Sequence, residues 1–267
     1  MPSASRSDAR RAPARSRPPG PASRLDATLV VPIVLAALVA LAYLQKAGLD
    51  LPWPGSSAPE STQALLARGT EAHNQGRHDD ALTLYRAILA REPGHAAAHY
   101  NVGQILSARG QLDEAQREYE AALRTEPGSV EARINLGVVL YRRRQFAAAA
   151  AEFRKILEAS PRHAGALFNL GTALVADGKP DEALRWLDEA RRADPGRAEV
   201  HYYIGLAHEQ SRRSPDARAA LLKAVELDPR HQQAYLALAR VYTAEGRQAE
   251  ALDAMRKAGA LSPLPGR

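Results

Sequence analysis

Two hydrophobic patterns divide the chain. From Ala27 to Leu44 the sequence ATLVVPIVLAALVALAYL runs 18 residues without a charge and with no polar face. As a helix this run is about 27 Å long, close to the hydrocarbon thickness of a bilayer, whereas a buried helix of a globular core keeps a polar side. The pattern predicts one transmembrane helix, assigned to residues 27–46. Pro32 sits near its N-terminal end, where a missing backbone donor does least harm. Beyond residue 60 the large apolar positions instead keep a fixed register: Tyr85, Tyr119, Phe153, Leu187, Leu221 and Met255 are each 34 residues apart. That recurrence predicts a repeated helical unit rather than one continuous core.

Small residues and prolines share the period. Proline stands at 93, 127, 161, 195, 229 and 263. Twelve residues before each is Ala81, Ala115, Ala149, Ala183, Ala217 or Ala251, and twelve before those are Gly69, Gly103, Gly137, Gly171, Gly205 and Ala239. Small residues at these points let two antiparallel helices approach closely, and the proline ends the second helix because it cannot continue the hydrogen-bond ladder. Gly76, Gly110, Gly178 and Gly246 fall at the left-handed end of the first helix; Arg144 and Arg212 take that place in units three and five, so strain is expected in those two turns.

A 34-residue period with a small residue in the first helix, Ala and a large apolar residue in the second, and a closing Pro resembles the tetratricopeptide-repeat (TPR) pattern. The resemblance covers repeats 62–95, 96–129, 130–163, 164–197, 198–231 and 232–265 of a domain spanning 61–265. It implies an all-α fold: a right-handed TPR superhelix, an α-solenoid of six helix-turn-helix repeats and twelve helices. It further implies that the first helices line a concave groove that holds a partner protein or extended peptide, with no chemistry of its own. The first unit departs from the pattern with Arg68 and Ala72 where later units have residues such as Val102 and Leu106, as suits a terminal repeat. The last unit has no separate capping helix, and its end surface is a candidate dimer or partner contact, leaving homo-oligomer formation open.

By the same resemblance the concave positions carry a mixed polar set, Gln63, Thr70, His73, Gln104, Ser107, Val138, Tyr141, Arg142, Thr172, Glu199, Glu209 and Arg240. Asn101, Asn135 and Asn169 hold one repeat position in three successive units. They resemble the asparagine ladder that grips peptide backbone in the TPR superhelix of the protein O-GlcNAc transferases, since an amide both donates and accepts. The partner-binding candidates are therefore Asn101, Asn135, Asn169, Gln104, Tyr141, Arg142 and Thr172. The carboxylate clamp of chaperone-docking TPR domains does not fit, because Leu66, Thr70 and Glu131 stand where it needs Lys or Asn.

Composition narrows the remaining classes. Ala, Leu, Arg and Glu dominate and aromatic residues are 5% of the chain, as in helical proteins. The absence of Cys excludes disulfides, Cys-ligated zinc and thiol nucleophiles. His95 and His99 have an i, i+4 spacing but straddle the turn after Pro93 without a partnering carboxylate motif, so packing is the better account. No P-loop or dinucleotide motif is present, and the sequence calls for neither cofactor nor enzyme activity.

The net charge of +6 is concentrated at one end. Residues 1–26 hold six Arg against Asp8 and Asp26, which leaves the repeats close to neutral and argues against nucleic acid as their partner. This Arg/Pro-rich stretch has too few large apolar residues to fold and is expected to be a disordered arm. Residues 47–60, with Pro52, Pro54 and Pro59, read as a flexible linker. Six Arg before the span and only Lys46 close behind it place the N-terminus in the cytoplasm and the repeats on the periplasmic, extracytoplasmic side of a bacterial inner membrane. A cleaved signal peptide ending near Ala40-Leu41-Ala42 is the competing reading. The function expected is a membrane-anchored protein-interaction scaffold in envelope assembly. Alternatives are a client-presenting arm of a cytochrome c maturation or pilus-type complex, and an Arg-rich arm that docks on anionic lipid or nucleic acid while the repeats oligomerise.

Overall fold

The structure, a computed structural model, describes residues 36, 38–40, 46 and 60–261. The expected arm, membrane span and linker thus lie almost wholly outside the described residues. Among the described residues no helix is long and apolar enough to cross a membrane.

The described residues from Ser61 onward form one compact unit. Twelve α-helices follow in order: α1 Thr62–Asn74, α2 His78–Arg91, α3 Ala96–Ala108, α4 Leu112–Thr125, α5 Val130–Arg142, α6 Phe146–Ala159, α7 Ala164–Ala176, α8 Pro180–Ala193, α9 Ala198–Gln210, α10 Ser214–Leu227, α11 Gln232–Ala244 and α12 Gln248–Ala260. They pair into six hairpins, and each second helix also packs on the next first helix. From α3 onward every first helix touches the first helix of the following hairpin, while successive second helices share no comparable contact. The stack therefore curves with α1, α3, α5, α7, α9 and α11 on its inner side.

The repeated residues do the work their spacing predicts. A Cβ added at Gly103 would lie 2.8 Å from Tyr119, at Gly137 2.5 Å from Phe153, and at Gly171 2.5 Å from Leu187. Each glycine thus receives the large residue of its own hairpin's second helix, and those residues are fully buried. The sixth unit is an exception. Ala239 stands in place of glycine, and Met255, expected to fill this contact, is instead 49% exposed on α12, which no further unit covers among the described residues. Each second helix from α2 to α10 stops two residues before its proline, with the intervening residue driven out of the helical region, as Pro imposes on its predecessor.

The turn strain expected in units three and five is present: Arg144 and Arg212 adopt φ of 61° and 56°, the left-handed conformation that Gly76, Gly110, Gly178 and Gly246 hold elsewhere. A side chain there costs about 1–2 kcal/mol. Replacing Arg212, an exposed residue, by Gly should raise stability by about 1 kcal/mol, read as a higher urea midpoint at unchanged slope.

Two histidine roles escaped the sequence reading. His95, His163 and His231 each accept, at Nδ1, the backbone N–H three residues on, and so cap α3, α7 and α11, a task Ser61 and Ser129 perform for α1 and α5. His99 bridges two units, with Nε2 2.8 Å from the Pro93 carbonyl and Nδ1 2.6 Å from Glu118 of its own hairpin. Arg133 repeats that bridge one unit later, between the Pro127 carbonyl and Glu152.

His208 occupies the position that Leu106, Leu140 and Leu174 hold in earlier units. Burial, which disfavours the charged imidazole, is the main reason its pKa is lowered; Asp216, Asp188 and Asp181 oppose the shift and Arg213 adds to it. A lowered folded-state pKa means the unfolded chain binds the proton more readily, so this residue's contribution is complete above about pH 6.5 and is lost as pH falls below it. His208→Leu should flatten that acid dependence, measured as urea midpoints between about pH 5 and pH 8.

Candidate partner-binding groove

Residues of successive first helices meet along the inner face. The Arg240 guanidinium donates two hydrogen bonds to the Glu209 carboxylate, at 2.8 and 2.9 Å, and this pairing is the main cause of its raised pKa. Arg142 is exposed and donates to the Ser107 carbonyl at 2.8 Å and its hydroxyl at 3.1 Å. Gln210 reaches back to the Val175 carbonyl at 3.1 Å. Each pair spans adjacent units, which fixes these side chains on the face where the first helices touch.

The three asparagines share this face, half-buried, but differ in what they hold. Asn135 donates to the Tyr100 hydroxyl at 3.3 Å, and Gln104 donates to the same oxygen at 3.0 Å. The side-chain amides of Asn101 and Asn169 have no hydrogen-bond partner among the described residues. Those two can therefore donate to and accept from an incoming backbone without first breaking an internal bond.

Units three and five approach across the groove through two phenols. Tyr203 on α9 and Tyr141 on α5 are near enough to influence each other's ionisation; burial first, then Tyr141, push the Tyr203 phenol above its ordinary pKa. On the intervening helix Thr172 is 8% exposed, and its Oγ1 is buried without a hydrogen-bond partner among the described residues. Of the predicted contact residues, Thr172 is thus the least accessible and Arg142 the most.

A second column runs beside the asparagines and was not singled out from the sequence. Leu66, Tyr100, Ile134, Phe168, Tyr202 and Leu236 are 34 residues apart, and all but the exposed Leu236 are half-buried. Phe168 packs edge-on to Tyr203 at 5.6 Å, and the Arg197 guanidinium lies 3.9 Å from the Phe168 ring centre. The signal was available: these residues immediately precede the asparagine position.

The family model described as Tetratricopeptide repeat matches residues 66–115, 103–164, 139–198, 168–228 and 202–264. The chain belongs to the tetratricopeptide-repeat family. Three solved structures illustrate what this TPR chain is similar to. MamA from Desulfovibrio magneticus RS-1 is 26% identical, with a TM-score of 0.58 over 62% of this chain and 94% of its own. A tetratricopeptide repeat protein from Parabacteroides merdae is 18% identical, with a TM-score of 0.69 over 76% and 80%. YrrB, described as a TPR protein with an unusual peptide-binding site, is 23% identical, with a TM-score of 0.53 over 67% and 92%. The last two similarities concern the fold alone. Among curated proteins nothing matches the chain significantly. TPR arrays are protein-interaction scaffolds, and neither the family match nor these structures indicate an enzyme family.

Proposed function

We propose that this TPR protein is a non-catalytic scaffold that holds an extended segment of a partner protein in its inner groove, tethered to a bacterial inner membrane by residues 27–46. The observation that carries the reading is the pair of free amides, Asn101 and Asn169, on either side of Asn135 along one column of the inner face. The tether rests on the uncharged run Ala27–Leu44 and the six Arg that precede it, which together favour a cytoplasmic N-terminus and extracytoplasmic repeats. Envelope assembly is the setting in which a scaffold so placed would act.

Affinity capture after crosslinking in membranes tests the groove. The triple variant Asn101→Ala, Asn135→Ala, Asn169→Ala should lose its dominant partner, by about ten-fold or more in yield, while matching the parent's helical circular dichroism. Retention of every partner by the folded variant would remove the asparagine column from the binding surface.

A homo-oligomer has an observation of its own. Leu252 and Met255 on α12 are 66% and 49% exposed, an apolar end face on the last hairpin. Light scattering of the full chain and of Leu252→Glu separates the two: an oligomer closed through this end dissociates on substitution, and a monomeric parent excludes it.

A further inference from the structure

Resting on the groove reading above, we propose that the occupant is an uncharged, proline-rich segment of a partner protein in the polyproline II conformation. The first argument is period. First helices of successive units are in contact, so their axes lie about 8–10 Å apart. Polyproline II turns once every three residues and rises about 9.3 Å per turn, so each unit meets the same face of each turn. A β-strand repeats its face every two residues, about 7 Å, and after three residues presents the opposite side. Only the three-residue helix keeps step with the asparagine and apolar columns together.

Chemistry gives the second argument. Polyproline II makes no internal hydrogen bonds, so its carbonyls are open to amide donors, which Asn101 and Asn169 supply. The neighbouring column offers Tyr100, Phe168 and Tyr202, the ring surfaces on which proline side chains pack. The guanidinium groups of this face are already engaged: Arg240 by Glu209, Arg142 by Ser107, and Arg197 by Glu199 at 3.5 Å and the Phe168 ring. A charged ligand would have to compete for them; a neutral one leaves them in place.

The test uses the full chain and two labelled neutral twelve-residue peptides, one of repeating Pro-Pro-Ala and one of alternating Thr-Ala, followed by fluorescence anisotropy. The Pro-Pro-Ala peptide should bind about ten-fold or more tighter, lose about ten-fold in the triple asparagine variant, and change less than about two-fold with added salt. Tighter or equal binding of the Thr-Ala peptide, still weakened by the triple variant, would overturn the polyproline assignment while leaving the groove reading intact. Pro-Pro-Ala binding that the triple variant leaves unchanged would overturn both. Binding of neither peptide overturns the proposal, and the capture experiment then decides the groove reading by itself. A ten-fold gain on deleting residues 1–24 would put the chain's own Pro13–Pro21 stretch in the groove and overturn the assignment to a partner.

Discussion

Gly171→Val will destabilise the array by about 3 kcal/mol or more, lowering its urea midpoint and separating the first three units from the last two. The Cβ alone would sit 2.5 Å from Leu187 Cγ and 2.6 Å from Cδ2, and Leu187 is fully buried, so it has no open space to move into. Two further methyl groups on a β-branched side chain worsen the overlap and restrict its rotamer. Gly171→Ala is the instructive control. Its helix propensity gains about 1 kcal/mol, but the same Cβ contact remains, so a net loss of about 1 kcal/mol is expected. Equilibrium unfolding followed by circular dichroism checks both variants. A Gly171→Val protein as stable as the parent would contradict the close approach of α7 and α8.

Phe153→Ala removes the other half of the same kind of contact, in the third unit. Phe153 is 1% exposed and packs against the space left by Gly137, so truncation leaves a cavity that the paired helices cannot close without losing register. A loss of about 3–5 kcal/mol is expected. Phe153→Leu installs the residue that Leu187 and Leu221 provide at this position and should cost only about 1 kcal/mol. Similar unfolding midpoints for the Ala and Leu variants would show that α5 and α6 repack around the gap. Because neighbouring units stabilise one another only through their shared faces, the defect should loosen the array around α5–α7 more than at its ends, which hydrogen exchange can resolve.

The all-helical TPR array was legible because its determinants recur. Gly137 against Phe153 and Gly171 against Leu187 are one solution used repeatedly, and six copies of a proline leave no ambiguity about where each unit ends. Positive φ at Arg144 and Arg212 followed from the same column logic. Met255 was not legible, because the column that buries Tyr119, Phe153 and Leu187 predicts a buried residue there, whereas among the described residues no following unit covers α12. The inner face was read only in part. The asparagine column stood out as polar residues within a helix, but its companion through Tyr100, Phe168 and Tyr202 looked like ordinary core. The influence of Tyr141 on the Tyr203 phenol acts between units two apart, which a repeat read one unit at a time does not show. The capping histidines were hidden for a different reason: Ser61 and Ser129 announce a cap by type, whereas His163 does so only through the direction of its ring.

In the function proposed above, the partner lies on the inner face. Its most direct test places a photo-crosslinking amino acid at one of two exposed positions of the full chain: Val138, on the inner side of α5, or Glu158, near the end of α6 on the other layer. One dominant adduct is expected from Val138, absent from Glu158 and lost when Asn101, Asn135 and Asn169 are Ala. An adduct from Glu158 alone, or one from Val138 that survives the triple substitution, would contradict it.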